Sequence, residues 1–166
     1  MMLGLSFSAF TTLHVIISLI GIATGLIVLW AMLGGRHLGG LTAIFLGSTV
    51  LTSVTGFMFP FNQFMPSHIV GLVSLAVLAV ALFALYGKGL SGAWRPIYVI
   101  TATIALYLNA FVGVVQAFRK FGVLHALAPT QAEAPFVVAQ LAVLALFAVF
   151  GYLAVKRYHP PLGAVA

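Results

Sequence analysis

Five long apolar stretches follow one another along the chain, with charge, proline and glycine gathered between them. Each stretch approaches the roughly 20 residues that an α-helix needs to cross the hydrocarbon of a bilayer. Crossings are expected over residues 9–32, 41–59, 67–87, 96–118 and 135–155. Gly34, Gly35, Gly39 and Gly40 around Arg36 and His37 suit the first turn, and Pro60 closes the second stretch. Ser67 has the chemistry of an N-cap for the third helix. Pro96 and Pro135 fit the first turns of the fourth and fifth, where a missing N–H costs nothing. Pro160-Pro161 stops any helix that remains. Backbone polar groups cannot stay unpaired in lipid, so every crossing must be helical. The expectation is an all-α integral membrane bundle of five transmembrane helices, one domain over residues 1–166.

Composition strengthens this reading. Only 5% of the residues are charged, too few to coat a soluble globule, where about a quarter is usual. Seven Lys and Arg face a single acidic residue, Glu133. On a soluble chain that imbalance would suggest nucleic acid. Here the charges stand in ones and twos beside apolar runs, the pattern of membrane anchoring, so the partner is the lipid bilayer and no nucleic acid. The first 33 residues carry no basic residue and their apolar run continues to Met32, which fits a membrane span rather than a cleaved signal. With no cysteine, thiolate ligation and cysteine nucleophiles are excluded.

Charge counting then orients the bundle. Arg36, Lys88, Arg95, Lys156 and Arg157 would share one side, Arg119 and Lys120 the other, which predicts a cytoplasmic carboxyl terminus and an outward amino terminus in a cell (inner) membrane. Trp30, Tyr86, Trp94, Tyr98, Tyr152 and Tyr158 fall at the predicted inner interface, where amphipathic rings favour headgroup depth. Small and polar residues should decide which helix faces meet. The expected inward stripes are His14, Ser18, Gly21 and Gly25 on the first helix, and Ser48, Thr52 and Gly56, with Thr49 and Ser53, on the second. On the third they are His68, Gly71 and Ala79, and on the fourth Ala102, Ala105, Asn109, Gly113, Gln116 and Lys120.

Most polar residues that packing does not explain fall in the outer half: His14, Asn62, Gln63, His68, Gln116, Arg119, Lys120, His125, Gln131, Glu133 and Gln140, with Asn109 deeper. The inner side offers anchoring charges, plus His37 and His159. Polar and ionisable groups inside a membrane are costly, so this asymmetry marks a candidate ligand-binding cluster of His14, His68, Asn109, Gln116, Arg119, Lys120 and Gln140. Three chemistries compete with simple packing. His14 and His68 on different helices could be the axial ligands of haem b, with Gly21 and Gly71 leaving room and Arg119 or Lys120 pairing with propionates. His14, His68 and His125, with Met58 or Met65, could hold copper or zinc. A histidine with Asn or Gln, beside Arg119 and Lys120, could hold a quinone or lipid headgroup. In the packing reading His14 is a buried hydrogen-bonding residue and the two cations snorkel to headgroups.

Hydrolase, zincin and P-loop patterns are missing, and one carboxylate cannot perform two-carboxylate chemistry, so no catalytic residue is assigned. The alternative function class is a non-catalytic accessory subunit or assembly factor, whose glycine-rich faces meet a membrane-protein partner or a second copy. Leu13-His14, Arg36-His37-Leu38-Gly39 and Thr55-Gly56 resemble a pattern in small uncharacterised bacterial multi-pass membrane proteins. The likeness covers about the first third of the chain and implies a bacterial membrane setting without an activity.

Overall fold

The structure, a computed structural model, describes residues 6–59, 66–161 and 163, with the side chains of residues 66 and 67 left out. Asn62, Gln63 and Met65, and the capping role of the Ser67 side chain, lie outside what is described. Among the described residues every regular element is helical. In order they are α1 (Phe7–Leu33), α2 (Gly39–Gly56), α3 (Pro66–Leu82), a π-helical turn (Phe83–Gly87), α4 (Trp94–Lys120), α5 (Gly122–Leu127) and α6 (Ala134–Arg157). Five segments are long and apolar enough to span a membrane; only α5, a six-residue helix between the last two, is not.

Local chemistry explains the boundaries. The Ser6 hydroxyl accepts the Ala9 N–H at 3.2 Å and caps α1. At the far end the N–H groups of Gly34 and Arg36 return to the Ala31 carbonyl, and Gly35 turns the chain at φ +71, a region open to glycine. The π turn that ends α3 carries Leu90 inward through its N–H bond to Ala84, at φ 60. Before α6, the Glu133 carboxylate accepts the Thr130 hydroxyl at 2.8 Å and the Thr130 and Ala132 N–H groups. Pro135 then occupies the first turn, as expected.

α4 is the hub. It packs against α3 and α6 most closely and also meets α1 and α2, while α1 rests chiefly on α2 and α2 on α3. α1 and α3 lie across the α2–α4 pair with at most marginal contact. α6 covers α4 and α1 from outside and turns Val138, Leu141 and Tyr152 outward. Successive membrane-length helices run in opposite directions, so the bundle has a His14 end and a Gly35 end.

Glycine sets the closest approaches. A Cβ on Gly25 would stand 2.5 Å from Leu106 Cδ1 and 2.8 Å from the Phe45 ring. One on Gly21 would stand 3.1 Å from both the Ser48 and Thr49 hydroxyls and 3.2 Å from Asn109 Nδ2. The Gly21/Gly25 stripe therefore faces α2 and α4 together.

Three expectations need correction. Lys120, expected on the inward stripe of α4, is exposed at the helix end. Ala79 is exposed; the inward face of α3 runs through His68, Ser74, Leu78 and Ala81, one helical step aside. Tyr98 and Tyr158 are 0% exposed and belong to the core, whereas Trp30, Tyr86 and Tyr152 remain outside, as an interfacial belt requires.

Candidate functional site

The His14 end gathers the carboxyl-terminal turn of α2 with the starts of α1 and α3 and the end of α4. His14, half-buried on α1, faces α2, and its Nδ1 lies 2.8 Å from Thr55 Oγ1. The Thr55 hydroxyl has one proton, which it donates to the Leu51 carbonyl at 2.6 Å. It must therefore accept from His14, whose proton is assigned to Nδ1. In the neutral ring this leaves the Nε2 lone pair as an acceptor, and Nε2 has no hydrogen-bond partner among the described residues. Gly56 leaves space beside the imidazole, 3.9 Å from Cε1 to where a Cβ would stand. Phe59 meets the ring edge-on at 5.1 Å, and Phe10 packs on Phe59 at the same separation.

His68 is buried, at 5% exposure, and its ring lies 5.8 Å from that of Phe57. Both histidines thus address the last turn of α2 but through different residues. The space at the two glycines expected to admit a macrocycle is otherwise used. Gly21 receives Ser48, Thr49 and Asn109, and Gly71 receives the Phe57 ring, 3.0 Å from where its Cβ would be.

Below His14, the Ser18 hydroxyl donates to Asn109 Oδ1 at 2.8 Å and Asn109 Nδ2 donates to the Ser18 carbonyl at 3.3 Å, joining α1 to α4. Ser53 and Ser74 hydroxyls join α2 to α3 at 3.1 Å. Gln140 is buried on α6 and donates to the Phe111 carbonyl at 3.2 Å, leaving its Oε1 unpaired among the described residues. Gln131 donates to the Val115 carbonyl at 2.8 Å and ties the α5–α6 link to α4. Gln116 is half-buried on α4, while Arg119 and Lys120 are exposed at its end. Lys120 ends α4 at the same end of the bundle as His14. His125 is exposed on α5, and among the described residues no three His, Cys, Asp or Glu side chains come together as a metal-binding group. The three-histidine set of His14, His68 and His125 is accordingly not assembled.

Ser18, Asn109, Gln131 and Gln140 therefore staple helices, while His14 Nε2 has no hydrogen-bond partner among the described residues. Thr55 was visible in the sequence only as a neighbour of Gly56. The signal that reveals it is its place on the second-helix face that meets the His14 stripe.

The Gly35 end also does more than anchor. Arg95 Nη1 donates to the carbonyls of Tyr158 at 2.6 Å and Val155 at 3.2 Å, holding the end of α6. His37 Nδ1 and the Tyr158 hydroxyl share a hydrogen bond of 2.7 Å. Burial keeps the His37 ring below its usual pKa and raises that of the Tyr158 phenol. At the opposite end desolvation disfavours the Glu133 carboxylate. The hydrogen bonds from Thr130 and Ala132 outweigh that and hold it below the usual range.

Comparison with protein-family models, curated proteins and solved structures finds no match to this chain.

Proposed function

We propose that this chain is a multi-pass protein of the cell (inner) membrane that binds a small amphipathic ligand at its outward end, through His14. The observation that carries the reading is the His14–Thr55 hydrogen bond. It orients the imidazole, fixes its tautomer and leaves a lone pair on Nε2, the arrangement by which proteins ready a histidine to accept from a ligand or to ligate a metal. A ligand hydroxyl, such as that of a quinol, would donate to Nε2. The Phe10–Phe59 pair supplies an apolar wall, and Lys120 favours an electron-rich or anionic headgroup. Orientation follows the excess of cations at the Gly35 end, five against two, which makes that end cytoplasmic.

The same lone pair suits haem b iron, so one preparation separates the readings. Protein purified in mild detergent is examined by absorption, metal analysis and mass spectrometry of extracted lipids, beside His14→Ala. A lipid-soluble hydroxylated compound retained by the wild type and lost from His14→Ala is the expected result. A Soret band lost in the variant would replace that ligand with haem. No chromophore, metal or His14-dependent compound would overturn the site. Co-purification of a larger complex would then support an accessory subunit docked through glycine-rich faces.

A further inference from the structure

The Gly35 end holds a cavity of about 360 Å³ lined by Trp30, Leu33, Gly34, Arg36 and Arg157. Its walls come from the last turn of α1, the turn that follows and the end of α6. Trp30 projects outward beside the mouth with 70% of its surface exposed, as a ring at headgroup depth would.

Two guanidiniums border this cavity, and the chain holds no carboxylate side chain to balance them. Its single acidic residue, Glu133, opens α6 at the opposite end and is engaged by Thr130 and Ala132. Among the described residues neither the Arg36 nor the Arg157 guanidinium makes a hydrogen bond or an ion pair. Their neighbours at the same end are occupied otherwise. Arg95 is spent on the carbonyls of Val155 and Tyr158, and Lys88 sits 5.4 Å from the Phe83 ring and 5.8 Å from the Trp94 ring.

The two arginines are also held in register. Gly35 adopts φ +71 and lies against the end of α6, its Cβ position 3.3 Å from the Arg157 carbonyl. The Arg95 bonds and the His37–Tyr158 bond hold Val155 and Tyr158, on either side of Arg157. These contacts hold the backbones of residues 35 and 157 close together, with the Arg36 and Arg157 side chains exposed at the cavity.

We infer that this cavity is a binding site for the phosphate of an anionic phospholipid headgroup, with Arg36 and Arg157 donating to the phosphate oxygens. Planar guanidiniums suit this role because each can donate two parallel hydrogen bonds. Trp30 and Leu33 would lie along the glycerol and upper acyl region, which distinguishes a lipid from free phosphate. This site is independent of the His14 end, so either can fail without the other.

Native mass spectrometry of the full chain in detergent tests the inference. The probes are phosphatidylglycerol, phosphatidylcholine of the same chain length and soluble glycerol phosphate. Wild type should retain phosphatidylglycerol in preference to phosphatidylcholine. Arg36→Gln and Arg157→Gln should each weaken retention about fivefold, the effect of losing one basic contact near a lipid surface. Lys156→Gln, which removes a cation at the same depth outside the cavity, should leave retention within twofold. Equal retention of the two lipids by wild type needs no variant to fold and would overturn the site. So would a Lys156→Gln loss as large as either arginine's. Protection by glycerol phosphate equal to that by the lipid would overturn the lipid assignment.

Discussion

Replacing Gly25 with alanine tests whether helix contact in this bundle is set by missing side chains. Gly25 sits on α1 where α2 and α4 both press closest. The added methyl would stand 2.5 Å from Leu106 Cδ1 and 2.8–2.9 Å from two Phe45 ring carbons. Leu106 and Phe45 are 1% and 2% exposed, so neither can swing into free space. Overpacking of this kind costs about 1–3 kcal/mol. Alanine's better helix propensity returns about 0.8–1 kcal/mol. Two buried neighbours put the clash in the upper part of its range, for a net loss of about 1–2 kcal/mol. Gly47→Ala on α2 is the internal control, since nothing lies within 4 Å of its Cβ position. It should be neutral or stabilising by up to about 1 kcal/mol. Reversible unfolding in mixed micelles with increasing SDS, followed by helix circular dichroism, gives both values. If Gly25→Ala unfolds at the same SDS fraction as Gly47→Ala, α1 does not pack through this glycine and the arrangement of α1, α2 and α4 is wrong.

Two further outcomes concern the Gly35 end. Burial lowers the His37 pKa, so the unfolded chain takes up the proton first as pH falls. Stability is then complete above about 6.5, declines from there toward the folded value and levels below it. His37→Gln should flatten that part of the unfolding midpoint against pH, and a slope that survives the substitution would exclude His37 as its source. Arg95→Gln removes charge-assisted bonds to two carbonyls and should cost about 1.5–3 kcal/mol. Hydrogen exchange in the segment around residues 155–160 should quicken; unchanged exchange there would mean that Arg95 does not hold the end of α6.

The five crossings were legible because lipid leaves the backbone one solution, and length, proline and glycine mark its limits. The α1 stripe was equally legible, since Gly21 and Gly25 recur at the spacing that lets α2 and α4 approach. Helix phase was harder where many small residues compete. On α3, Ala79 and Ser74 are both small, and only the partner hydroxyl of Ser53 selects Ser74. Tyr98 and Tyr158 have the composition of an interfacial belt, but the docking of residue 158 between His37 and Arg95 is a long-range contact without a local pattern. His14 could be recognised as unusual from its depth alone. Its tautomer could not, because it depends on which carbonyl Thr55 already bonds.

The alternation of the crossings underlies both proposed sites, and the absence of cysteine makes it directly measurable. Val123→Cys on α5 and Ser91→Cys between α3 and α4 are labelled with a membrane-impermeant maleimide in intact cells and again after permeabilisation. Val123→Cys should react in intact cells and Ser91→Cys only once the membrane is opened. Reaction of both positions from the same side would contradict the passage of α4 through the bilayer and separate His14 from the residues assigned to its end.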